Sequence, residues 1–356
     1  MFRLMRSFDG MSDTHIGAHM EASGPEAHLG MPGAAMIFEP LLLDALQQIV
    51  GYRAWLDGWF LMPVGMKRIS RFGAPPRPGA QIRACVRYRK LDGRRVEADY
   101  EAYDSDGRPW IRVDSLEAWR VLSPKALLEA NHRPREGYLA QPGPLDSAAV
   151  RFYSVKVDNL GDLPPDWAAR LYLRPDEWAI YQRRPALDWL LGRIAAKDAV
   201  RAWLCQHRKL LLHPLEVEIG NDPDGAPRLR VPSLPSLAVS IAHIANEAVA
   251  GVSEASRLGV DLAEVKERQN GFAGFAFRAE ELACFPAGPS ESWIHRAWCA
   301  KEAAAKASGL GLGQLPQFRI VGVEPETGAV EIEFGGIRLI AATRHEGNRA
   351  MAMVVP

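Results

Sequence analysis

Glu302 and Lys306 sit one helical turn apart inside Trp298–Gly309, an alanine-rich stretch without proline that closes on Ser308-Gly309. That composition predicts a helix with a glycine stop. At 3.6 residues per turn, Trp298, Glu302 and Lys306 fall on one face. A carboxylate one turn ahead of an ammonium can hold a cation while the lysine holds an anion. Asp261 lies upstream in the apolar run Gly259-Val260-Asp261-Leu262, which reads as a strand. Two carboxylates brought together this way suit Mg²⁺, which takes one or two protein carboxylates and completes its shell with phosphate oxygens and water. By itself an E-x-x-x-K pair is a surface feature worth about 0.3–0.5 kcal/mol. Here it comes with Trp298, Lys301, a terminal glycine and the upstream Gly-Val-Asp.

The rest of the chain must bring these residues together. With 356 residues, two or three domains are expected. The formal net charge is zero, which argues against a general nucleic-acid or membrane binder. Cys85, Cys205, Cys284 and Cys299 are scattered without a C-x-x-C pair and read as reduced thiols of a cytoplasmic protein. Apolar runs are too short to span a bilayer, and the N-terminus lacks a signal-peptide core.

In chain order, residues 1–33 are rich in Met, Gly, Ser and His and read as a tail or linker, with His15, His19 and His28 loosely spaced. Residues 34–122 change character. Pro40 opens an apolar helix through Val50, and Gln81–Arg89, Arg95–Tyr103 and Trp110–Val121 alternate as strands. One long helix followed by antiparallel strands fits a hot-dog fold. Within that helix Asp44 and Gln48 are four apart and can face one cleft. Residues 123–149, punctuated by proline and glycine, read as a linker. From 150 to 356 strand-like runs return. Leu187–Leu204 reads as a helix in which Arg193, Lys197 and Arg201 form an i, i+4, i+8 row, part of a local basic patch. Gly225 and Pro227 lie in a turn, and His243 ends the apolar strand Leu237–His243.

Two resemblances follow from these motifs. Glu39-Pro40-Leu41-Leu42-Leu43-Asp44-Ala45-Leu46-Gln47-Gln48 resembles P-x-L-x-D-A-x-x-Q in the second hot-dog half of polyketide-synthase dehydratase domains. The partner motif H-x-x-x-G-x-x-x-x-P of that family is absent before Glu39, so Asp44 and Gln48 imply a vestigial or split site. Gly259-Val260-Asp261 and Trp298 to Lys306 resemble the G-[IV]-D and W-x-x-K-E-x-x-x-K signatures of the 4′-phosphopantetheinyl transferase superfamily. Its G-R-x-x-x-K matches at Gly192, Arg193 and Lys197. Its G-[KR]-P matches at Gly225 and Pro227, with Ala226 in place of the cation, and its S-x-S-H matches at His243, with Ala242 in place of serine. Ala263 stands where two-halved members often carry a second acid.

The second resemblance implies Mg²⁺-dependent transfer of the 4′-phosphopantetheine arm of coenzyme A to a serine of an acyl carrier protein. Asp261 and Glu302 would hold the metal, and Glu302, Lys306 and Asp261 would be catalytic. Arg193, Lys197, His243, Gly225, Pro227 and Lys301 would bind the co-substrate. Strand alternation keeps Glu264 out of the metal site, and the aromatic, acid-bearing stretch Phe272–Phe285 would lie beside the carrier-docking surface. The expected architecture is α+β: a single dehydratase-like hot-dog, then a pseudo-twofold, two-halved transferase fold with halves of about 150–252 and 253–356. Other polyketide-synthase domains are expected partners; nucleic acid and membrane are not. The competing reading is a dehydratase or thioester-binding hot-dog protein carrying an inactive carrier-docking module.

Overall fold

A computed structural model describes residues 4–22, 40–74, 76–122, 124–223, 225–230, 236–266, 271–286 and 290–356. His28 lies outside them. The chain divides into two units, Met1–Pro124 and Lys125–Pro356.

The first unit is a six-stranded antiparallel sheet around one helix. Its elements are β1 (Met5–Met11), β2 (His15–Glu21), α1 (Pro40–Leu56), β3 (Trp59–Arg71), β4 (Gln81–Asp92), β5 (Arg95–Tyr103) and β6 (Pro109–Leu122), in sheet order β1-β2-β4-β5-β6-β3. Along β4, Ile82, Ala84, Val86 and Tyr88 are buried while Arg83, Cys85 and Arg87 are exposed, the period of a strand with one face on a core. Leu42, Ala45, Leu46, Ile49 and Val50 of α1 follow helical spacing and pack into that same core. This is a hot-dog.

Residues 1–33 are not simply a tail. Met5–Met11 and His15–Glu21 form a hairpin, and β2 extends the sheet by pairing with β4 from His15↔Arg87 to Glu21↔Gln81. Ile16, Ala18 and Met20 are fully buried at alternate positions. Glycine and histidine between them hide a period-two signal only three residues deep. Asp44 and Gln48 also depart from expectation. Both are exposed, and the Gln48 amide donates to Asp44 Oδ2 at 2.7 Å, so the pair is satisfied on the helix surface.

The second unit contains α2 (Lys125–His132), β7 (Gln141–Pro142), β8 (Arg151–Lys156), α3 (Pro165–Tyr172), α4 (Pro175–Arg183), α5 (Leu187–Arg208), β9 (Ile219–Asn221), β10 (Pro227–Leu229), β11 (Ala238–Ile244) and β12 (Glu247–Ser253). After them come β13 (Gly259–Glu264), α6 (Phe272–Ala276), α7 (Ala279–Leu282), α8 (Glu291–Ser308), β14 (Arg319–Glu324), β15 (Ala329–Phe334), β16 (Ile337–Glu346) and β17 (Arg349–Val354). Two antiparallel sheets result, β7-β8-β12-β11-β10-β9 and β13-β17-β16-β15-β14. Each carries one long helix: α5 on β12, β8 and β11, and α8 on β13, β17 and β16. The unit is therefore two similar halves, and the change of sheet falls between Ser253 and Gly259. Leu145, Phe152, Ala242, Val249, Leu258, Val260 and Met351 close a core between them.

The segment 123–149 is not a linker. Leu127, Leu128 and Ala130 of α2 are buried. The amides of Leu139 and Ala140 donate to Asp198 Oδ2 at 2.9 and 3.0 Å, and Arg201 Nη2 donates to the carbonyls of Pro134 and Gly137. A backbone without secondary structure is held here by side chains of α5, which composition cannot show.

Candidate active site

α8 starts at Ser290, whose Oγ accepts from the Trp293 amide at 3.4 Å, and ends at Gly309 with φ 69°. Only a glycine takes that left-handed stop without cost. Ala297, Ala300, Ala303, Ala304 and Ala307 are all fully buried, so the helix lies close on β13. At Gly259 the approach is tight enough that a Cβ would overlap the Ala303 carbonyl oxygen. Small residues on both elements thus bring the strand bearing Asp261 against the helix bearing Glu302 and Lys306.

Lys306 Nζ donates to Asp261 Oδ1 at 2.8 Å and to the Val260 carbonyl at 3.0 Å. Asp261 is 5 % exposed. Glu302 is pushed up to about 7, first by burial and then by the Asp261 carboxylate beside it, against which Lys306 and a hydrogen bond from Trp298 act in the opposite sense. Two acids facing one ammonium leave a local deficit of positive charge. Cys299, which sequence reasoning passed over, is fully buried next to the same acids, and its thiol is held well above its ordinary range by burial and by Asp261. Only an i, i+3 count from Glu302 could have drawn attention to it.

Glu264 is exposed and lies within reach of Asn348 and Lys266, away from this cluster, as strand alternation requires. Lys301 does not join it either. One residue before Glu302 it turns about 100° round the helix, where its ammonium donates to Glu281 Oε1 at 2.9 Å and the Ala276 carbonyl at 3.2 Å. Glu281, read as an acid beside a docking surface, is buried in this pair, and Phe277 and Phe285 pack edge to face in the core. Phe275 is the aromatic of that stretch that stays exposed.

A second site gathers on the first sheet. A cavity of about 150 Å³ is lined by Trp189, Gly192, Arg193, Asn221, Gly225, Pro227, Ile241 and His243. Four residues named from the sequence, Arg193, Gly225, Pro227 and His243, therefore meet in one place. Lys197 does not. It is fully buried, with its ammonium on Glu177 Oε2 at 2.5 Å and on the Tyr172 carbonyl at 2.8 Å. Every residue from Leu190 to Leu204 of α5 is buried, so the expected basic row is no solvent-facing stripe, and burial presses the Lys197 pKa down. Arg201 is likewise tied to Asp198 at 2.5 Å. Arg228 pairs with Asp222 at 3.5 Å and does not line the cavity.

The two sites are neighbours through the strands that carry them. Ser240 Oγ on β11, three residues before His243, accepts from the Val260 amide at 3.0 Å, next to Asp261. Among the described residues no group of three or more His, Cys, Asp or Glu side chains could hold a metal. No helix among the described residues is long and apolar enough to cross a membrane.

Two family models match this chain. Residues 257–354 match the 4′-phosphopantetheinyl transferase superfamily, which places β13, α8 and the Asp261–Glu302–Lys306 cluster within that family's pattern. Residues 1–129 match the model described as the polyketide synthase dehydratase N-terminal domain. The match begins at the first residue, in keeping with the β1–β2 hairpin; the description names the N-terminal domain, whereas the helix motif resembles the second half. The chain thus joins a hot-dog similar to polyketide-synthase dehydratase domains to a segment similar to the transferase superfamily. A search of curated proteins gives no match. Similar solved structures include a hypothetical thioesterase with coenzyme A from Streptococcus pneumoniae TIGR4, at 14 % identity over 32 % of this chain and 84 % of that one, TM-score 0.27. The PaaI protein of the E. coli phenylacetic acid degradation operon aligns at 11 % identity over 32 % of this chain and 78 % of that one, TM-score 0.27. GphF dehydratase 1 aligns at 24 % identity over 33 % and 43 %, TM-score 0.27.

Proposed function

We propose that the chain transfers the 4′-phosphopantetheine arm of coenzyme A to a serine of an acyl carrier protein in a polyketide-type assembly, with Mg²⁺, releasing adenosine 3′,5′-bisphosphate. The observation that carries this reading is the meeting of Asp261, Glu302 and Lys306, with Glu302 pushed up to about 7 by burial and by Asp261. The donor set fits a divalent cation: two carboxylate ligands share one lysine, and the charge left over is negative. Mg²⁺ bound there would neutralise the pyrophosphate oxygens of coenzyme A.

The remaining tasks belong to the chain itself. Lys306, anchored by Asp261 and the Val260 carbonyl, would offer its ammonium to the charge that builds up on the transferred phosphoryl group. Glu302 takes the proton of the attacking serine hydroxyl. Arg193 offers a cation and His243 a ring nitrogen to a phosphate of the co-substrate, in a cavity also lined by Gly225 and Pro227.

The test is the intact mass of an apo acyl carrier protein after incubation with the chain, coenzyme A and Mg²⁺. A gain of one phosphopantetheine arm that EDTA abolishes is the expected result. No gain across several carriers would sink the assignment and shift attention to the hot-dog unit.

A further inference from the structure

Arg193 is a nearly buried cation, 7 % exposed, at the wall of the cavity. Its Nη2 donates to Asn221 Oδ1 at 2.5 Å, and its guanidinium carbon lies 5.0 Å from the centre of the Trp189 ring. Among the described residues its Nε has no hydrogen-bond partner and it has no ion-pair partner. Glu177 acts on it only through space and is itself bonded to Lys197. Asp188 lies 3.4 Å from His243 Nδ1 instead. A desolvated guanidinium without a counter-ion is unfavourable unless an anion arrives.

Asn221 is the residue that keeps it so. Its Nδ2 donates to the Gly225 carbonyl at 3.2 Å while its Oδ1 accepts from Arg193. The amide therefore ties Gly225 to Arg193 of α5 with both ends satisfied, which fixes its orientation. An aspartate of nearly the same shape could not donate to Gly225, and it would cancel the charge of Arg193.

We propose that Asn221 is a positioning residue that aims Arg193 into the cavity with its charge unneutralised, and that its being an amide sets the cavity's affinity for a phosphate group of the co-substrate. This rests on the coenzyme A reading above. The measurement is coenzyme A affinity by calorimetry over a range of salt concentrations, beside turnover at saturating coenzyme A. Asn221→Asp is expected to weaken binding by about tenfold or more, to flatten its salt dependence, to lower turnover less at saturating than at limiting coenzyme A, and not to lower thermal stability. Asn221→Ala removes the tether but not the charge, so it is expected to lose less affinity than Asn221→Asp and to keep the wild-type salt slope. If Asn221→Asp binds as tightly as wild type, or Asn221→Ala loses as much as Asn221→Asp with the same slope, the proposal is overturned. Wild-type protein that does not bind coenzyme A would instead sink the reading beneath it.

Discussion

Glu302 concentrates the chemistry of the site, and its protonation sets a test at the scale of a single residue. Burial and Asp261 raise it from 4.5 to about 7, so between those values the folded state holds a proton that the unfolded chain has lost. Stability contributed by this group is present below about pH 4.5 and falls as pH rises towards 7. Metal-free protein should therefore melt at a lower temperature at pH 7.5 than at pH 5.5. Added Mg²⁺ should raise the melting temperature more at the higher pH; equal Mg²⁺ shifts at both would contradict a cation site at Glu302. Glu302→Gln should lower turnover by about 100-fold or more, with coenzyme A still bound in calorimetry. Turnover near wild type would remove Glu302 from the reaction.

At the scale of elements, two helices with similar rows of charge behave differently because of how each is packed. On α8 the Glu302–Lys306 face meets β13, and the fit depends on Gly259. Gly259→Ala should push strand and helix apart and cost about 1–3 kcal/mol in chemical denaturation; an unchanged midpoint would mean the contact is looser than it looks. On α5 the row Arg193, Lys197, Arg201 divides, so that Arg193 reaches the cavity while Lys197 and Arg201 serve the core. Lys197→Met leaves Glu177 buried and unpaired and should cost about 3–5 kcal/mol. Arg193→Ala should instead weaken coenzyme A binding with a smaller loss of stability. The reverse ranking of the two variants in a denaturation series would restore Lys197 as a surface ligand.

For the molecule as a whole, the proposed transfer needs the two halves of the second unit to stay in register, because the cavity lies on its first sheet and the acids on its second. Ser240 Oγ holds the Val260 amide across that junction at 3.0 Å, and both residues are buried. Ser240→Ala strands this amide and should cost about 1–3 kcal/mol, with a larger fall in turnover than any surface serine causes. In the hot-dog unit, Asp44 and Gln48 satisfy each other at the surface. Asp44→Ala should leave carrier modification unchanged in the mass assay, and a loss there would tie the hot-dog to the transfer.

What the chain's order of residues determined by itself was local or periodic. The α8 helix with its Ser-Gly stop, the face shared by Trp298, Glu302 and Lys306, the alternation that turns Glu264 away, and the hot-dog helix from Pro40 are all short-range consequences of residue type. Tertiary structure decided which charges are free. Spacing puts Lys197 in one row with Arg193 and turns Lys301 off the Glu302 face, yet only packing shows Lys197 closed over Glu177 and Lys301 paired with Glu281. It also made a hairpin of residues 5–21 and gave α5 the carbonyls and amides of 134–140 as partners. Hydrogen bonds and burial between residues distant in the chain leave no period in the sequence, so those outcomes are legible only once the fold brings them together.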